Sequence, residues 1–216
     1  MIRVAIVDDQ PLFASGLAMI IEAQTDMDCV GVAPNGQQAL YLAETSHPDV
    51  VLMDLRMPKM NGLVATEHLL GSQSEHHPAP RVIVLTTIRK DEAVLQALRV
   101  GASAFLTKDV TPAILLATIR TAHFGETIAE QSLEVVRDAK HSRSDTAGDA
   151  LSVLSAREQS VFQLVASGLS NADISTKLFL SEPTTKSHVR SILFKLGLKS
   201  RVQVVIFAYE NRLLPT

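Results

Sequence analysis

The chain has 216 residues, 46% of them hydrophobic and 20% charged, a composition that is ordinary for a globular protein and excludes a disordered or fibrous one. Its uncharged apolar runs, such as residues 50–53 and 82–85, are far shorter than the roughly 20 residues that cross a bilayer. At the N-terminus, Asp8 and Asp9 follow a short apolar run at the place where the apolar stretch of a signal peptide would continue. The single cysteine, Cys29, excludes an internal disulfide and a Cys-rich zinc site, so we expect a cytoplasmic protein without a membrane segment.

The charge is divided unevenly along the chain. Residues 1–150 carry 12 Lys and Arg against 19 Asp and Glu, a net charge of −7, whereas residues 151–216 carry 8 against 4, a net charge of +4. No acid occurs from residue 183 to residue 209, and the bases of this stretch are Lys186, Arg190, Lys195, Lys199 and Arg201. Such a run is either a solvated helix face or a surface for phosphate backbones, and the asymmetry indicates two domains with different partners.

The first 124 residues alternate strand patterns with helix patterns. The strand patterns cover residues 3–7, 29–33, 50–53, 82–86 and 104–106, and the helix patterns begin at Pro11 and cover residues 36–44, 62–71, 90–100 and 111–124. Five such units predict an α/β doubly wound, five-stranded parallel sheet with helices on both faces. Ligands of such sheets bind beyond the carboxyl ends of the strands.

The rest of the chain reads as helical. Residues 125–150 predict a linker with one short amphipathic helix at 125–139, and residues 151–216 predict a small all-α domain of four helices. Ser155, Ser170 and Ser181 are suited to cap the first three helices, and the fourth is expected at about 200–213. The tight corner between the second and third helices predicts a helix-turn-helix.

Polar side chains stand at four strand ends of the predicted sheet: Asp8 and Asp9, then Asp54, then Thr86, and finally Lys108 after the last strand. Each residue alone has a plain structural explanation, because Asp8 and Asp9 are suited to cap a helix and Asp54 to start a turn. Together, three carboxylates at one edge require a hard cation such as Mg²⁺, and a lysine and a hydroxyl suit an oxyanion.

The first half of the chain carries the motifs Val7-Asp8-Asp9, Met53-Asp54-Leu55-Arg56-Met57-Pro58, Asn61-Gly62, Thr86 and the run from Gly101 to Lys108. On these features residues 1–124 resemble the response-regulator receiver domain, a flavodoxin-like fold. The second half carries Leu154-Ser155-Ala156-Arg157-Glu158, Gly168-Leu169-Ser170-Asn171, the run from Ser181 to Val189, and Lys195-Leu196. On these features residues 151–213 resemble the LuxR-type helix-turn-helix, and the pair defines the NarL/FixJ type of response regulator.

The receiver resemblance implies a phosphorylation site. Asp54 is expected to take a phosphoryl group from the phosphohistidine of a partner histidine kinase. Mg²⁺ would be held by Asp9 directly, by Asp8 largely through water, by an oxygen of Asp54 and by the backbone carbonyl of Arg56. Mg²⁺ and Lys108 would then neutralise the transferring group from two sides.

The resemblance also implies a switch and a limit on the lifetime of the signal. Thr86 is expected to turn toward the phosphoryl oxygens, which would free space for Phe105 to turn inward. The approach of a hydrolytic water is bordered by Arg56 and Ile88. Because the bulky Ile88 cannot hydrogen-bond a water, we expect slow hydrolysis of the aspartyl phosphate.

The DNA-binding resemblance assigns roles to the basic half. It implies that base edges or nearby phosphates are contacted by Lys186, Ser187 and Arg190. It implies that phosphates of an operator duplex are contacted by Lys195, Lys199 and Arg201. It also implies that a homodimer formed on phosphorylation is held together by Val202, Ile206 and Tyr209. An alternative role for the last three is core packing. Phe194 departs from the polar residue expected beside the basic face, and a thymine methyl, the receiver and a second protomer are all open as its contact.

Rival classes fit less well. A haloacid-dehalogenase-like phosphatase would carry a second acid two residues after the nucleophile, where this chain has Arg56, and nothing in the sequence favours the flavin of an electron carrier. The pair His76-His77 lacks neighbours at zinc-ligand spacing. A regulator of the same architecture that responds to something other than phosphate stays open, whereas a stand-alone phosphotransferase would leave the basic half without a task. We therefore expect a transcription regulator rather than an enzyme.

Overall fold

A computed structural model describes residues 1–71, 79–87, 92–125, 151–211 and 213. The chain divides into two compact units, Met1–Phe124 and Gly125–Thr216. The first unit ends where the receiver-like pattern ends. The predicted linker lies almost entirely outside the described residues, as do Ile88 and the pair His76-His77.

The first unit alternates strands and helices in chain order. These are β1 (Ile2–Val7), α1 (Pro11–Glu22), β2 (Met27–Ala33), α2 (Gly36–Ser46), β3 (Val50–Asp54), α3 (Gly62–Gly71), β4 (Arg81–Thr86), α4 (Glu92–Val100), β5 (Ala104–Thr107) and α5 (Pro112–Phe124). The strands form one parallel sheet in the order β2-β1-β3-β4-β5. The predicted doubly wound fold is therefore confirmed, and its strand order reverses between β1 and β3.

The centre of the sheet is buried because its strands are apolar on both faces. All five residues of β3 are buried, including its last residue, Asp54. Helices cover both faces, and one side of the core joins β1 and β3 to residues of α2 and α3 such as Ala39, Ala65 and Leu69. A core of this kind holds the strand ends rigidly, so the polar residues at those ends have fixed positions.

The second unit contains α6 (Ala156–Ala166), α7 (Asn171–Leu178), α8 (Glu182–Lys195) and α9 (Arg201–Glu210). The predicted caps Ser155, Ser170 and Ser181 each accept a backbone hydrogen bond from the first turn of their helix, and Ser200 does the same for α9. A left-handed residue, Phe179 with φ 53°, ends α7 and turns the chain into α8. This is the predicted helix-turn-helix. None of the helices in the described part of the chain combines the length and apolar character of a membrane span.

Gly62 fixes the loop that follows Asp54. Its N–H donates to the carbonyl of Leu55 at 3.1 Å, which folds the start of α3 back against the end of β3. A Cβ at this position would overlap the backbone carbonyl of Asp54. The glycine is therefore required by the close approach of two backbone segments.

We predict that Gly62→Ala destabilises the first unit by about 1–3 kcal/mol, because the methyl group forces β3 and α3 apart. Gly16→Ala is the matched control. Gly16 lies inside α1, where an added methyl group would meet only open space, so the same change there should stabilise by about 0.5–1 kcal/mol. Urea denaturation of both full-length variants measures the difference, and equal midpoints would contradict the prediction.

Candidate functional site

The register of the sheet brings Asp8 and Asp54 together. Val7 of β1 pairs with Met53 of β3, so the residues that follow them stand side by side at the carboxyl edge. Asp8 is 2% exposed and Asp54 is 4% exposed, whereas Asp9 is open to solvent. One carboxylate oxygen from each of the three lies within 4.8 Å of the others, as the sequence predicts.

Lys108 joins the two buried carboxylates. Its Nζ lies 2.6 Å from Oδ2 of Asp8 and 2.8 Å from Oδ2 of Asp54. The lysine is placed by the backbone, because its N–H donates to the carbonyl of Thr86 at 2.7 Å just beyond the pairing of Thr86 with Thr107. Burial alone would lower the pKa of Lys108, but the hydrogen bonds and charges of Asp54 and Asp8 outweigh burial and raise it.

Each buried carboxylate divides its two oxygens between the backbone and the lysine. Oδ1 of Asp8 accepts the N–H of Gln10 at 3.0 Å, and Oδ1 of Asp54 accepts the N–H of Arg56 at 3.1 Å. Burial raises the pKa of Asp8, and the bonds from Lys108 and Gln10 offset part of that effect. Both side chains are therefore held in one orientation with an oxygen directed toward the ammonium group.

The donor set fits a hard divalent cation. Asp8, Asp9 and Asp54 offer only oxygen atoms, the ligands that Mg²⁺ prefers, and the exposed Asp9 leaves room for the waters that Mg²⁺ retains. The predicted backbone ligand, Arg56, follows Asp54 closely in the same loop. The geometry is thus compatible with the predicted ion.

The structure places Thr86 at the site and Phe105 in the interior. Thr86 is buried at the end of β4, and its carbonyl accepts the backbone N–H of Lys108. Phe105 is buried, with 1% of its surface exposed. The ring therefore occupies the inward position named in the prediction, and its turn on phosphorylation stays a prediction.

Sequence reasoning missed the aromatic neighbour of Lys108. The ammonium lies over the ring of Phe13, 4.8 Å from its centroid, and Phe13 belongs to the first turn of α1. The signal in the sequence was that Phe13 follows the pair Asp8-Asp9 by only a few residues. That signal is weak, because the helix periodicity alone does not tell which strand end the ring will face.

Helix α8 presents a narrower polar face than its sequence suggests. Ser187 and Arg190 are exposed and Lys186 is half-buried, which agrees with the predicted recognition surface. Phe194 follows Arg190 by one helical turn and is 87% exposed. Its exposure is compatible with each of the three contacts that the sequence leaves open, a thymine methyl, the receiver and a second protomer.

Two of the side chains predicted to contact phosphates, those of Arg201 and Lys195, bind other groups of the second unit. Arg201 is 6% exposed, and its guanidinium donates to Oδ1 of Asn171 at 2.8 Å and to the carbonyl of Leu169. Burial lowers the pKa of Arg201 to about 10. The prediction that Arg201 binds DNA is therefore wrong, because its charged group is inside the protein. Lys195 is partly exposed, but its ammonium pairs with Glu158 at 2.7 Å.

Glu158 anchors α8 to α6. Its carboxylate accepts hydrogen bonds from Lys195 at 2.7 Å, from the Ser191 hydroxyl at 2.6 Å and from the backbone N–H of Ser155 at 2.7 Å. These bonds lower the pKa of Glu158 to about 2, led by the bond from Lys195. The contact with Glu158 turns Ser191, the residue after the exposed Arg190, toward α6. The capping box identified Glu158 in the sequence but not its link to α8.

The predicted dimer stripe on α9 is not exposed in the single chain. Val202 and Ile206 are 0% and 5% exposed, and Tyr209 is half-buried. Their burial agrees with packing, the alternative role, and the part of these residues in a homodimer stays a prediction. A dimer through them requires a rearrangement that uncovers them.

Comparison with known proteins divides the chain at the same place. Residues 4–120 match the model of the response regulator receiver domain, and residues 152–208 match that of the bacterial regulatory proteins of the luxR family. A transcriptional regulatory protein of Bacillus subtilis (strain 168), YxjL, described as uncharacterized, is 38% identical over 213 residues, which cover 97% of this chain and 96% of that protein.

Two further relatives cover nearly the whole chain. The nitrate/nitrite response regulator NarL of Escherichia coli (strain K12) is 35% identical over 212 residues, covering 97% of this chain and 96% of NarL. The crystal structure of ChrA, a response regulator in a heme-sensing two-component system, has 31% identity and a TM-score of 0.53, covering 99% of this chain and 98% of ChrA. The named relatives are transcription regulators or response regulators, and the likeness extends through both units.

We predict that acid weakens the second unit through Glu158. Its folded pKa of about 2 lies below the ordinary 4.5, so its stabilisation is complete above pH 4.5 and is lost as the pH falls toward 2. Glu158→Gln should increase hydrogen–deuterium exchange in α6 and α8 at pH 7, because it removes the charged partner of Lys195. In wild type, exchange corrected for the intrinsic rate should rise between pH 7 and pH 3, and in Glu158→Gln this rise should be smaller. The exposed Glu67→Gln is the control; a wild-type pH response in Glu158→Gln would contradict the assignment.

Proposed function

Because the chain belongs to the response regulators that join a receiver domain to a luxR-type DNA-binding domain, we propose that phosphorylation of Asp54 by a partner histidine kinase controls its binding to DNA. The observation that carries this proposal is the ion-pair cluster of Asp54, Asp8 and Lys108 at the switch point of the sheet. Asp9 completes the carboxylate group from the solvent side. A buried carboxylate beside an ammonium group is suited to accept and hold a phosphoryl group.

In the proposed transfer, an oxygen of Asp54 attacks the phosphorus of a phosphohistidine. A P–O bond forms as the P–N bond breaks, and the released imidazole recovers a proton. Asp8, Asp9, Asp54 and the Arg56 carbonyl would hold Mg²⁺, which when bound neutralises charge on the phosphoryl oxygens. Lys108 already lies within 2.8 Å of Asp54 and supplies positive charge from the other side.

The response to phosphorylation begins with Lys108 and Thr86. Once an oxygen of Asp54 is bonded to phosphorus it no longer carries the charge that Lys108 pairs with, so the ammonium is drawn to the phosphoryl oxygens. Thr86, whose carbonyl holds the backbone of Lys108, is proposed to turn its hydroxyl toward the same oxygens. The inward turn of Phe105, whose ring is buried in the structure, stays a prediction from the sequence.

DNA binding is assigned to the exposed face of α8. A helix fits the major groove, and Lys186, Ser187 and Arg190 are proposed to contact base edges or nearby phosphates. Lys199, which is exposed, remains a proposed phosphate contact, whereas Lys195 acts first through Glu158. The proposed partners are duplex DNA and a kinase that serves as phosphodonor. Together they favour a cytoplasmic location for the protein.

Dimer formation and the lifetime of the signal complete the proposal. A phosphorylated homodimer would match two related half-sites in an operator. Because Val202 and Ile206 are buried, their part in such a dimer depends on the rearrangement noted above. Slow hydrolysis of the aspartyl phosphate, with Arg56 and Ile88 bordering the water, stays a prediction from the sequence; Ile88 lies outside the described residues.

We predict that wild-type protein incubated with acetyl phosphate and Mg²⁺ gains one phosphoryl group and that Asp54→Asn gains none, because the amide cannot act as the nucleophile. Intact-mass spectrometry measures the transfer. The matched control is Asp28→Asn on the exposed side of β2, which should be labelled like wild type. Equal labelling of Asp54→Asn and wild type would refute Asp54 as the acceptor.

We predict that Lys186→Ala or Arg190→Ala weakens binding to duplex DNA selected by the protein from a random pool. A base contact should cost about 1–3 kcal/mol, and a phosphate contact should lower the slope of log affinity against log salt by about one unit. Lys59→Ala, an equal charge change in the first unit, is the control. If affinity and slope are unchanged in both α8 variants, α8 does not enter the groove.

A further inference from the structure

Among the described residues, three side-chain groups contact the ammonium of Lys108, and they differ in how phosphorylation would affect them. Two are the carboxylates of Asp8 and Asp54, at 2.6 Å and 2.8 Å from Nζ. The third is the ring of Phe13, whose centroid lies 4.8 Å from the same atom. The lysine side chain is only 8% exposed, so an aromatic face at this distance interacts with a cation that is largely shielded from water.

Both carboxylates change when the site is used. Asp54 gives up the charge of one oxygen when it is phosphorylated, and Asp8 belongs to the set that would hold Mg²⁺. Each event weakens the attraction of that carboxylate for Lys108. The ring of Phe13 neither binds a hard cation nor accepts a phosphoryl group, so its attraction for the ammonium persists through the whole cycle.

The position of the ring is fixed by the same carboxylate that binds the lysine. Asp8 accepts the N–H of Gln10 through Oδ1 and forms an ion pair with the ammonium of Lys108 through Oδ2. The bond to Gln10, together with Pro11 at the first position of α1, sets where the helix begins. Phe13 lies two residues further on, in the first turn, and its half-buried ring is thereby held against Nζ.

We propose that Phe13 is a positioning residue for phosphoryl transfer, acting through a cation–π contact that keeps Lys108 beside Asp54 while both carboxylate partners change. The proposal rests on the proposed function, because it assigns Phe13 a part in phosphorylation of Asp54. Phe13 touches the ammonium group rather than the phosphoryl group, so its effect is on the orientation of the lysine. Its ring electrons, and not only its volume, are the active feature.

Progressive fluorination of the ring tests this distinction. Replacing Phe13 by mono-, di- and trifluorophenylalanine weakens the negative face of the ring while nearly keeping its shape. We expect the rate of phosphorylation by acetyl phosphate with Mg²⁺ to fall stepwise with fluorine number, by about two- to tenfold in total. Phe13→Leu should be at least as slow, and Phe13→Tyr, which keeps the ring electrons, should restore most of the rate.

The controls separate a packing role from the electrostatic one. Leu12→Ala changes the adjacent residue, which is 88% exposed, and should leave the rate unchanged. A slow Phe13→Leu combined with an unchanged rate across the fluorinated series would show that Phe13 only fills space. A wild-type rate in Phe13→Leu itself would show that Phe13 has no role, and either result overturns the proposal.

A second measurement keeps this test distinct from the test of the proposed function. The ε-methylene protons of Lys108 should resonate upfield because of the ring of Phe13, with Lys108→Arg used to assign them, and should return to the ordinary lysine position in Phe13→Leu. If wild type takes no phosphoryl group while this upfield shift is present, the proposed function fails but the contact stands. If the shift is absent in wild type, the contact itself is refuted.

Discussion

Two carboxylates buried side by side need a cation, and this requirement organises the unit Met1–Phe124. Parallel pairing of β1 with β3 forces Asp8 and Asp54 into proximity, and like charges at such a distance repel strongly away from water. Lys108, brought from β5 by the Thr86 carbonyl, neutralises the pair. The ends of three strands are thereby linked through one ammonium group. Any ligand that adds or removes charge at this edge must change those links, which is what a switch requires.

The DNA-binding unit uses buried charges for a different purpose. Glu158 joins α6 to Lys195 and Ser191 of α8, and Arg201 joins the start of α9 to the start of α7 through Asn171. These bonds fix the orientation of α8 within the unit. Lys195 and Arg201, which the sequence suggests as DNA contacts, thus help to hold α8 and its neighbours in place, and the proposed DNA-binding surface is smaller and less basic than the net charge of the region suggests.

The two units differ in how far their proposed working surfaces are available. In the first unit the proposed acceptor carboxylate, the lysine and the proposed metal ligands lie together, so the proposed transfer needs little rearrangement. In the second unit Ser187 and Arg190 are exposed, but Val202 and Ile206 are covered. Under the proposed function, phosphorylation therefore controls association between protomers more readily than it controls formation of the helix that would enter the groove.

The helices and strands of the two units, the sheet and the placement of Asp8, Asp54 and Lys108 could all be predicted from the sequence, because strand composition, helix caps and the rule that parallel strands end at one edge are local or topological properties. It did not determine which charged side chains would be internal. Arg201 and Arg190 have the same chemistry and are separated by one helix boundary, yet only Arg201 is buried. Burial depends on the packing of distant segments, and only the tertiary structure decides which groups those segments bring together.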